Sequence, residues 1–324
     1  MNPLISVIIL SYNYIEYVED AIESVVKQTY KDWELIIIDN GSTDGSQQKL
    51  QRYTGHPKIR LVFKERNGPI TKLLNNAVRL AQGEYISLLY SDDYYLPEKL
   101  EKQVKCFESL SHEWGVVHSP SFSLNVFTGE QKILNCIPVS GDMLKSIFTR
   151  YHEGFINPIT PLIRKECMER YPFYEDLFVE GEGLFHRIAM KYKFCYIDEP
   201  LAVMREHDRN MGFVSKINAE NTIVVMDRLA KHTDFPKEYL PYWRVQYSRV
   251  LRMYGWREVR LGSDTKFARN MFSKSIRLDW KQIFHPRTLV GETMCFFPYE
   301  IRNKINLRIN NLCGKKKAMY LEDY

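Results

Sequence analysis

Four short apolar runs in the first third of the chain constrain its fold more than any other feature. They occupy residues 4–11, 33–38, 59–63 and 85–89. Nearly continuous apolar runs of this length are typical of strands that are buried on both faces of a parallel sheet. Between them, residues 16–28 and 69–81 have the apolar spacing of amphipathic helices. This alternation predicts an α/β fold that begins with a doubly wound half-sheet.

Polar side chains follow three of these runs at the point where each predicted strand ends. They are Ser11, Tyr12 and Asn13 after the first run, Asp39 and Asn40 after the second, and Ser91, Asp92 and Asp93 after the fourth. In parallel α/β sheets, ligands gather at the carboxyl ends of the strands. Neither the glycine-rich dinucleotide turn nor the P-loop motif follows the first run. Tyr12 in that turn suits a base stacked on an aromatic ring, so the sequence predicts a nucleotide site.

The paired carboxylates of Asp92 and Asp93 are the sharpest chemical signal in the chain. Two adjacent carboxylates repel each other unless a cation lies between them, and hard divalent ions prefer oxygen ligands. The pair therefore predicts a site for Mg²⁺ or Mn²⁺ together with a diphosphate. The alternative is a solvated turn that caps a helix starting near Pro97.

Charge is distributed unevenly along the 324 residues, whose formal net charge is +5. From residue 237 onward the chain has 18 Lys and Arg against 8 Asp and Glu, a net charge of +10, which leaves −5 on residues 1–236. An acidic body argues against a core that binds nucleic acid, and a basic C-terminal segment favours contact with an anionic membrane surface. The alternative is a basic helical face that is only solvated.

Five segments resemble, in their order and spacing, the motifs of one enzyme family. They read SVIILSYN, ELIIIDNGSTDGS, the stretch from Asn67-Gly68 to Asn75, GEYISLLYSDD and DEPLAVMREH. Over residues 4–212 the chain resembles the inverting glycosyltransferases of family 2, which have the GT-A nucleotide-diphospho-sugar transferase fold. The resemblance implies a Rossmann-like, doubly wound mixed sheet and transfer of a sugar from a nucleotide-diphosphate donor.

The resemblance also implies roles for individual residues. Tyr12 would stack on the base, and Asp39 and Asn40 would line the base and ribose pocket. Lys72 would approach the diphosphate. Asp92 would be the metal-binding carboxylate of the family's D-x-D motif.

Elementary chemistry supports a metal in such a site. The nucleotide diphosphate leaves as an anion, so a divalent ion held by Asp92 would stabilise the charge that develops on the leaving oxygen. Asp93 would bind sugar hydroxyls or complete the metal shell through water. His207 matches a family position that often contacts the metal or the diphosphate, and a neutral imidazole is a good ligand for Mn²⁺. The alternative for His207 is a surface residue in a basic loop.

The sequence departs from the family pattern in three places. Tyr90 stands where the first Asp of the D-x-D motif is usual. Asn40 stands where a second acidic residue usually meets a uracil-type imide, and because an amide can accept or donate, the base is not fixed as uracil. Gly181 stands where the catalytic Asp is expected.

An inverting transferase needs a general base within hydrogen-bond reach of the acceptor hydroxyl. Glu180 and Glu182 flank the vacant position, and the adjacent glycines permit unusual backbone angles. We rank Glu180 first because it keeps the family's Glu position. The alternative is that both are solvated carboxylates at the start of a helix over 184–191, where acidic residues favour the helix dipole.

The predicted organisation has two parts. We expect a GT-A catalytic domain over residues 1–215, with a nucleotide-binding half (1–110) and an acceptor half (111–215) whose last strand, 197–204, leads to the His207 loop. A helical basic extension over 216–324 follows, with aromatic residues among Lys and Arg as in interfacial helices. The six cysteines show no close pairing, and no run of about 18 apolar residues occurs. These features predict a cytoplasmic protein that is peripheral at the inner face of the cell membrane.

The sequence thus predicts a glycosyltransferase that uses Mn²⁺ or Mg²⁺ and a nucleotide-diphosphate sugar, with a UDP-sugar as the first donor to test. The expected acceptor is a glycan or lipid-linked glycan, and no nucleic acid partner is expected. The alternative is a catalytically impaired member of the family that binds a nucleotide or a glycan, because Tyr90 and Gly181 replace expected carboxylates. A nucleotidyltransferase is disfavoured, since such enzymes carry a glycine-rich, basic first loop that this chain lacks.

Overall fold

The computed structural model describes residues 3–150, 153–210 and 215–312. The chain divides into two compact units, Met1–Phe213 and Val214–Tyr324. The sequence placed this boundary between residues 215 and 216.

Strands and helices alternate through the described part of the first unit. The strands are β1 Ile5–Ser11, β2 Trp33–Asp39, β3 Ile59–Phe63, β4 Tyr85–Tyr90, β5 Tyr94–Tyr95, β6 Trp114–His118, β7 Ser121–Asn125, β8 Gln131–Leu134, β9 Leu162–Arg164, β10 Lys193–Tyr196 and β11 Ala202–Glu206. The helices are α1 Val18–Val26, α2 Ser46–Leu50, α3 Ile70–Leu80, α4 Lys99–Glu108, α5 Met143–Thr149, α6 Lys165–Arg170 and α7 Gly183–Ile188.

Seven of these strands form one sheet in the order β10-β6-β9-β4-β1-β2-β3. β1 pairs in parallel with both β2 and β4, and β2 pairs in parallel with β3. The chain therefore adds β2 and β3 on one side of β1 and then crosses to place β4 on the other side. This order is that of a doubly wound sheet, which confirms the predicted half-sheet. β9 runs antiparallel to β4 and β6, so the complete sheet is mixed.

The core of this unit is built from the apolar runs that predicted its strands. All seven residues of β1 are buried, and β4 is buried as far as Leu89. Helix α1 packs Val18, Ala21, Ile22 and Val25 into the same core at helical spacing. Each large apolar side chain buried in this way stabilises the fold by roughly 1.5–3 kcal/mol. The carboxyl ends of β1 and β4 are thus held by a packed scaffold on which a site can be positioned.

A smaller sheet of four strands has the order β5-β11-β7-β8. The sequence predicted a last strand over residues 197–204, but the structure places β11 at Ala202–Glu206 and an additional strand, β10, at Lys193–Tyr196. Pro200 lies between the two strands, and proline cannot donate to a strand ladder. β11 pairs with β7 in parallel and with β5 in antiparallel orientation, and it ends directly before His207.

Two cysteines that are distant in sequence meet in the fold. The Sγ atoms of Cys106 on α4 and Cys195 on β10 lie 2.9 Å apart, although 89 residues separate them. The hydrogen bond from Cys106 lowers the pKa of the Cys195 thiol to about 7. The spacing of the cysteines gives no sign of this contact, because a helix and a strand from different parts of the chain create it.

The described part of the second unit is helical, as predicted for the C-terminal extension. Its helices are α8 Ser215–Leu229, α9 Leu240–Leu261, α10 Thr265–Leu278, α11 Pro286–Met294 and α12 Tyr299–Leu312. A core forms around Ala268, Phe272 and Met294. Gly291 is required beside the Phe272 ring, because an added Cβ would lie 2.4 Å from it. Among the described residues, no helix is both long enough and apolar enough to cross a membrane.

Candidate active site

The site lies at the carboxyl edge of the large sheet, where the strand order reverses. Ser11 at the end of β1 is in register with Asp39 at the end of β2, and Leu10 is in register with Tyr90 at the end of β4. β2 and β4 therefore flank β1 at the topological switch point, the position at which open α/β sheets bind ligands. The polar residues that the sequence placed after three strands are brought together at this edge.

Asp92 and His207 meet at this edge from two different sheets. Asp92 follows β4 by two residues, and His207 follows β11 directly. The His207 Nε2 atom lies 3.3 Å from Asp92 Oδ2. The His207 side chain is buried, and 11% of the Asp92 side chain is exposed. A carboxylate oxygen and an imidazole nitrogen, predicted separately as metal ligands, are thus adjacent in space.

Aromatic rings and an amide hold the His207 ring in this position. Tyr17 stacks on the imidazole with a centroid distance of 5.3 Å and an interplanar angle of 15°, and Tyr14 meets its edge at the same distance. Asn210 Oδ1 accepts a hydrogen bond from the His207 backbone N–H at 2.6 Å. Asn210 Nδ2 lies 3.3 Å from Asp92 Oδ2. These supporting residues were not selected from the sequence, although Asn210 stands in the same MREHDRN segment as His207.

Asp93 makes different contacts from the adjacent Asp92. Its Oδ1 atom accepts a hydrogen bond from the Arg205 backbone N–H at 2.8 Å, and Arg205 Nη1 donates to the Asp92 carbonyl oxygen at 3.0 Å. Burial, followed by the charge of Asp92, raises the pKa of the Asp93 carboxyl well above its usual value. This buried carboxyl ties the end of β11 to the Asp92 turn. Its Oδ1 atom is thus engaged within the protein, and the expectation that Asp93 binds sugar hydroxyls or completes the metal shell through water stays a prediction.

The donor set of Asp92 and His207 fits a divalent ion. Adjacent ligands of an octahedral ion with bonds of about 2.1 Å lie about 3.0 Å apart, close to the 3.3 Å between Asp92 Oδ2 and His207 Nε2. No group of three or more His, Cys, Asp or Glu side chains that could hold a metal occurs in the described part of the chain. Two protein ligands suit a Mg²⁺-type ion, which usually keeps water and substrate phosphate oxygens in its other positions.

Asp39 is buried and holds its own turn. Its Oδ1 atom accepts hydrogen bonds from the backbone N–H groups of Gly41 at 3.2 Å and Ser42 at 2.9 Å, and from Gln47 Nε2 at 2.8 Å. The Ser42 hydroxyl donates to Oδ2 at 2.5 Å. The side chain is fully buried, and these hydrogen bonds fix the loop after β2. The expectation that Asp39 lines the base and ribose pocket stays a prediction.

Asn40 and Asn13 also hold loops rather than present free amides. Asn40 Nδ2 donates to Asn67 Oδ1 at 2.6 Å and to the Gly68 carbonyl at 2.9 Å, while Asn40 Oδ1 accepts from Gly68 N–H at 3.0 Å. Asn13 has a positive φ of 57°, and its Oδ1 accepts from Thr43 N–H at 2.8 Å. These hydrogen bonds join the loops after β1, β2 and β3. The Asn40 amide is thus engaged within the protein, and its expected place in the base and ribose pocket stays a prediction.

Four of the residues predicted to bind the nucleotide keep groups that a ligand could use. Tyr12 is 40% exposed beyond the end of β1, and Lys72 is exposed on the first turn of α3. The hydroxyls of Ser11 and Ser91 are buried and have no hydrogen-bond partner among the described residues. Buried polar groups are normally paired with a hydrogen-bond partner. The two hydroxyls at the switch point could therefore bind a polar group of a ligand.

In the segment proposed to carry the catalytic base, the two candidate glutamates, Glu180 and Glu182, have different surroundings. The Glu180 side chain has no exposed surface, and its Oε1 accepts hydrogen bonds from Arg187 Nη2 and, at 3.0 Å, from Arg187 Nε. Its Oε2 accepts from Tyr174 N–H at 2.8 Å. A carboxylate in such a buried ion pair cannot take a proton from an acceptor without losing its partner. This ion pair argues against Glu180, which the sequence ranked first, and the choice of base between the two glutamates stays a prediction.

Glu182 and Gly181 lie at the start of α7, next to two clefts. Gly181 has a φ of +59° and lines one cleft together with Tyr90 and Glu180. Glu182 is half-buried and lines a second cleft with Phe155 and His186. Each glutamate therefore borders a cleft. Because Glu180 is held in a buried ion pair, we take Glu182 as the first candidate for the base.

Comparison with known proteins finds relatives among bacterial glycosyltransferases. A Bacillus subtilis protein named as a teichuronic acid biosynthesis glycosyltransferase, TuaG, is 43% identical over 105 residues, 32% of this chain and 42% of that protein. The B. subtilis glycosyltransferase EpsE is 35% identical over 147 residues, 44% of this chain and 52% of that protein. The chain thus spans about half the length of these relatives. An uncharacterized Nostoc glycosyltransferase is 30% identical over 218 residues, 64% of this chain and 66% of that protein.

Solved structures share the fold at low sequence identity. The mannosyltransferase PcManGT from Pyrobaculum calidifontis, in complex with GDP-Man and Mn²⁺, has a TM-score of 0.59 and 16% identity over 98% of this chain and 89% of that one. S. aureus TarS 1-349 in complex with UDP-GlcNAc has a TM-score of 0.53 and 17% identity over 86% and 91% of the two chains. At these identities the likeness concerns the fold alone.

The family model described as glycosyl transferase family 2 matches residues 6–171. This range contains β2 to β9, all of β1 except its first residue, and the paired aspartates, and it is more than half of the 324 residues. The mixed, doubly wound sheet with its helical C-terminal region agrees with the GT-A fold expected of that family. The chain belongs to glycosyl transferase family 2.

Proposed function

We propose that this chain transfers a sugar from a nucleotide-diphosphate donor to a hydroxyl group of a glycan or lipid-linked glycan, with inversion at the anomeric carbon. The observation that carries the proposal is the 3.3 Å contact between Asp92 Oδ2 and His207 Nε2 at the switch point of the sheet. Residues 115 positions apart are brought together there as a ligand pair for a hard cation.

The donor is bound by residues at the ends of β1 and β4 and on the first turn of α3. Tyr12 stacks on the base, and the orphaned hydroxyls of Ser11 and Ser91 take up hydrogen bonds at the buried end of the site. Lys72, on the first turn of α3, neutralises diphosphate charge. The relatives of known fold bind UDP-GlcNAc and GDP-Man, and a UDP-sugar is the first donor to test for this chain.

The ligand pair serves the leaving group. Mn²⁺ or Mg²⁺ held by Asp92 and His207 would act as a Lewis acid toward the diphosphate. Tyr17 and Asn210 keep the imidazole oriented so that Nε2 stays beside Asp92 Oδ2. Asp93, buried and bound to Arg205 N–H, keeps the turn that carries Asp92 against β11.

The acceptor hydroxyl requires a proton acceptor, and Glu182 is our assignment. It borders a cleft lined by Phe155 and His186, whereas Glu180 is held by Arg187. In an inverting reaction the acceptor oxygen attacks the anomeric carbon in line, so one base on the acceptor side suffices. Glu182 takes the proton from that oxygen as the new glycosidic bond forms.

The second unit provides contact with an anionic membrane surface. Residues from 237 onward have 18 basic against 8 acidic side chains, and several aromatic side chains of this unit are exposed, including Trp280 and Phe284. Each basic group close to an anionic membrane adds attraction of about 1 kcal/mol. We expect co-sedimentation of the full chain with anionic vesicles that weakens as salt is raised. Equal sedimentation with anionic and zwitterionic vesicles at low salt would contradict this localisation.

The test of the central proposal compares ligands with and without metal. We expect Mn²⁺ to increase the thermal stabilisation of the protein by UDP or GDP more than that by CMP, because only the first two carry a diphosphate. Transfer from the matching nucleotide sugars is then measured by release of the nucleotide. Absence of Mn²⁺-dependent stabilisation by both diphosphates would remove the metal–diphosphate site from the proposal.

A second candidate function is binding without turnover, and the replacement of a carboxylate by Gly181 favours it. The position can accept an acid, because no atom lies within 4 Å of an added Cβ and Asp tolerates a φ near +59° better than most residues. A parent protein that binds donor but transfers no sugar, together with a Gly181→Asp variant that gains transfer, would establish this alternative. Transfer by the parent rejects it.

A further inference from the structure

A group of basic side chains lies in the second unit and has no role in the donor site. We name it the arginine cluster; its members are Arg249 and Arg252 of α9, and His285 and Arg287 at the start of α11. Burial and the charges of Arg287 and Arg249 lower the pKa of the Arg252 guanidinium to about 10. Burial and the charges of Arg252 and Arg287 also lower the pKa of His285. Arg252 therefore lies within electrostatic reach of the other three side chains.

The hydrogen bonds of Arg252 are incomplete. Its Nη1 donates to Gln282 Oε1, while its Nε is buried and has no partner among the described residues. The one acid that raises the pKa of Arg252, Asp279, already accepts hydrogen bonds from Gln282 Nε2 at 2.8 Å and from Lys281 N–H at 3.2 Å. Burying a charged donor without an acceptor is costly. An anion beside Arg252 would remove that cost.

The start of α11 adds further donors. His285 Nδ1 accepts a hydrogen bond from Arg287 N–H at 3.2 Å, so the proton of a neutral imidazole is on Nε2. The Thr288 hydroxyl is buried in the first turn of the helix and has no partner among the described residues. The N-terminus of this nine-residue helix also carries partial positive charge. The start of α11 thus carries three kinds of hydrogen-bond donor in the part of the chain that also holds Arg287.

Exposed apolar side chains border the arginine cluster in sequence on both sides. Trp280 and Phe284 are 65% and 69% exposed, and their rings meet edge to face with centroids 6.0 Å apart. Leu289 and Val290 are exposed on α11. Large aromatic and aliphatic groups next to basic groups are typical of surfaces that lie in a membrane interface. A small soluble phosphate would use the donors but would leave these apolar side chains in water.

We propose that the arginine cluster binds the phosphate of an anionic phospholipid headgroup while Trp280 and Phe284 enter the boundary between headgroups and acyl chains. The occupant follows from charge and polarity together, since the buried Nε of Arg252 lacks an acceptor among the described residues and the exposed rings of Trp280 and Phe284 follow in the same unit. The inference rests on the membrane contact proposed above and names the residues that make it.

The test uses the full chain and vesicles of phosphatidylcholine with and without phosphatidylglycerol. Arg252→Gln and Arg249→Gln each weaken binding to the anionic vesicles by about tenfold, because each removes a cation next to the phosphate. Lys266→Gln is the matched control: it removes the same charge from an exposed position on α10, and we expect less than about a twofold change. Parent-like binding of both arginine variants overturns the proposal.

Further measurements distinguish loss of lipid binding from unfolding of the second unit and from binding of a soluble phosphate. Arg249 is exposed, so its variant tests the site even if replacement of the part-buried Arg252 unfolds the second unit, which the melting temperature would show. Trp280→Ala should weaken binding to both kinds of vesicle, since it removes apolar rather than charged contact. Stabilisation by inorganic phosphate that depends on Arg252, without vesicle binding by the parent, overturns the lipid assignment. Metal-dependent UDP or GDP binding without vesicle binding also overturns it and leaves the proposed sugar transfer intact.

Discussion

Asp92 and Glu180, two buried carboxylates of the first unit, differ in their exposure and in how tightly their partners hold them. Glu180 has no exposed side-chain surface and shares two hydrogen bonds with the Arg187 guanidinium, and its second oxygen accepts from Tyr174 N–H at 2.8 Å. Asp92 retains 11% of its side-chain surface, and the contacts of its Oδ2 atom with His207 and Asn210 are both 3.3 Å long.

The difference lies in how easily the existing partners can be exchanged. Removing a carboxylate from a short, buried ion pair leaves an uncompensated charge. Long contacts to an imidazole and an amide are weak, so a divalent ion can replace them at little cost. The Glu180–Arg187 pair therefore has the geometry of a structural ion pair, whereas the Asp92–His207 pair has the exchangeable contacts that the proposed metal site requires. Four substitutions test this distinction, beginning with the largest expected effect.

Asp92→Asn should abolish the metal dependence of nucleotide binding, because an amide is a poor substitute for a carboxylate in binding a hard cation. The affinity for UDP or GDP is measured by calorimetry with and without Mn²⁺, and the melting temperature reports whether the fold is intact. Glu16→Gln is a matched control, since it removes a carboxylate from an exposed pair with Arg209. Unchanged Mn²⁺-dependent affinity in the Asp92 variant would mean that the two carboxylates do not differ as described.

Glu180→Gln should lower the free energy of unfolding by about 3–5 kcal/mol, the usual cost of leaving a buried charge unpaired. Arg187 is the charge left behind, since both of its bonds to Glu180 would be weakened. Urea denaturation measures the effect. Turnover per folded molecule should stay near that of the parent. A variant that is stable but inactive would return the role of base to Glu180.

Glu182→Gln should show the opposite pattern, with turnover lowered about a hundredfold or more and donor affinity near normal. A glutamine keeps the shape of the side chain but cannot take the proton. Single-turnover kinetics and the unfolding free energy, measured side by side for the Glu180 and Glu182 variants, separate catalysis from stability. If both single variants and the double variant turn over like the parent, Asp176 and Glu175 are the next acids to replace.

The fold of the first unit could be predicted from local pattern because its strands are continuous apolar runs. β1 and β4, buried at almost every position, leave little freedom in register or direction. The short strands after residue 110 carry no comparable signal. β9 has three residues, and its pairing with β4 depends on contacts between segments far apart in the chain. Such strands are defined by their neighbours rather than by their own sequence.

The sequence could identify candidate residues of the site from their type and their match to family motifs. It could not predict roles that depend on which hydrogen-bond partners the fold brings to a residue. Asp92 was identified from the paired carboxylates and His207 from its match to a family position, and the structure brings the two side chains together. The ion pair between Glu180 and Arg187 could not be predicted, because it forms only when helix α7 folds back beside the loop that carries Glu180. For Asp39 a signal was present: an Asp followed by Asn-Gly-Ser favours a turn in which the side chain binds its own backbone.

Asn210→Ala should have the smallest effect of the four, about a tenfold weaker Mn²⁺ affinity, which is typical when a residue that orients a metal ligand is lost. Asn210 accepts from His207 N–H at 2.6 Å and its amide lies 3.3 Å from both Asp92 Oδ2 and His207 Nε2, so it sets the geometry of the pair without being a ligand. Mn²⁺ binding without nucleotide, followed by electron paramagnetic resonance, measures the change independently of turnover. Asn210→Gln should restore only part of the affinity, because its longer side chain cannot keep both contacts. A loss as complete as that of Asp92→Asn would instead make Asn210 a ligand, and an unchanged affinity would mean that the aromatic rings of Tyr14 and Tyr17 alone orient His207.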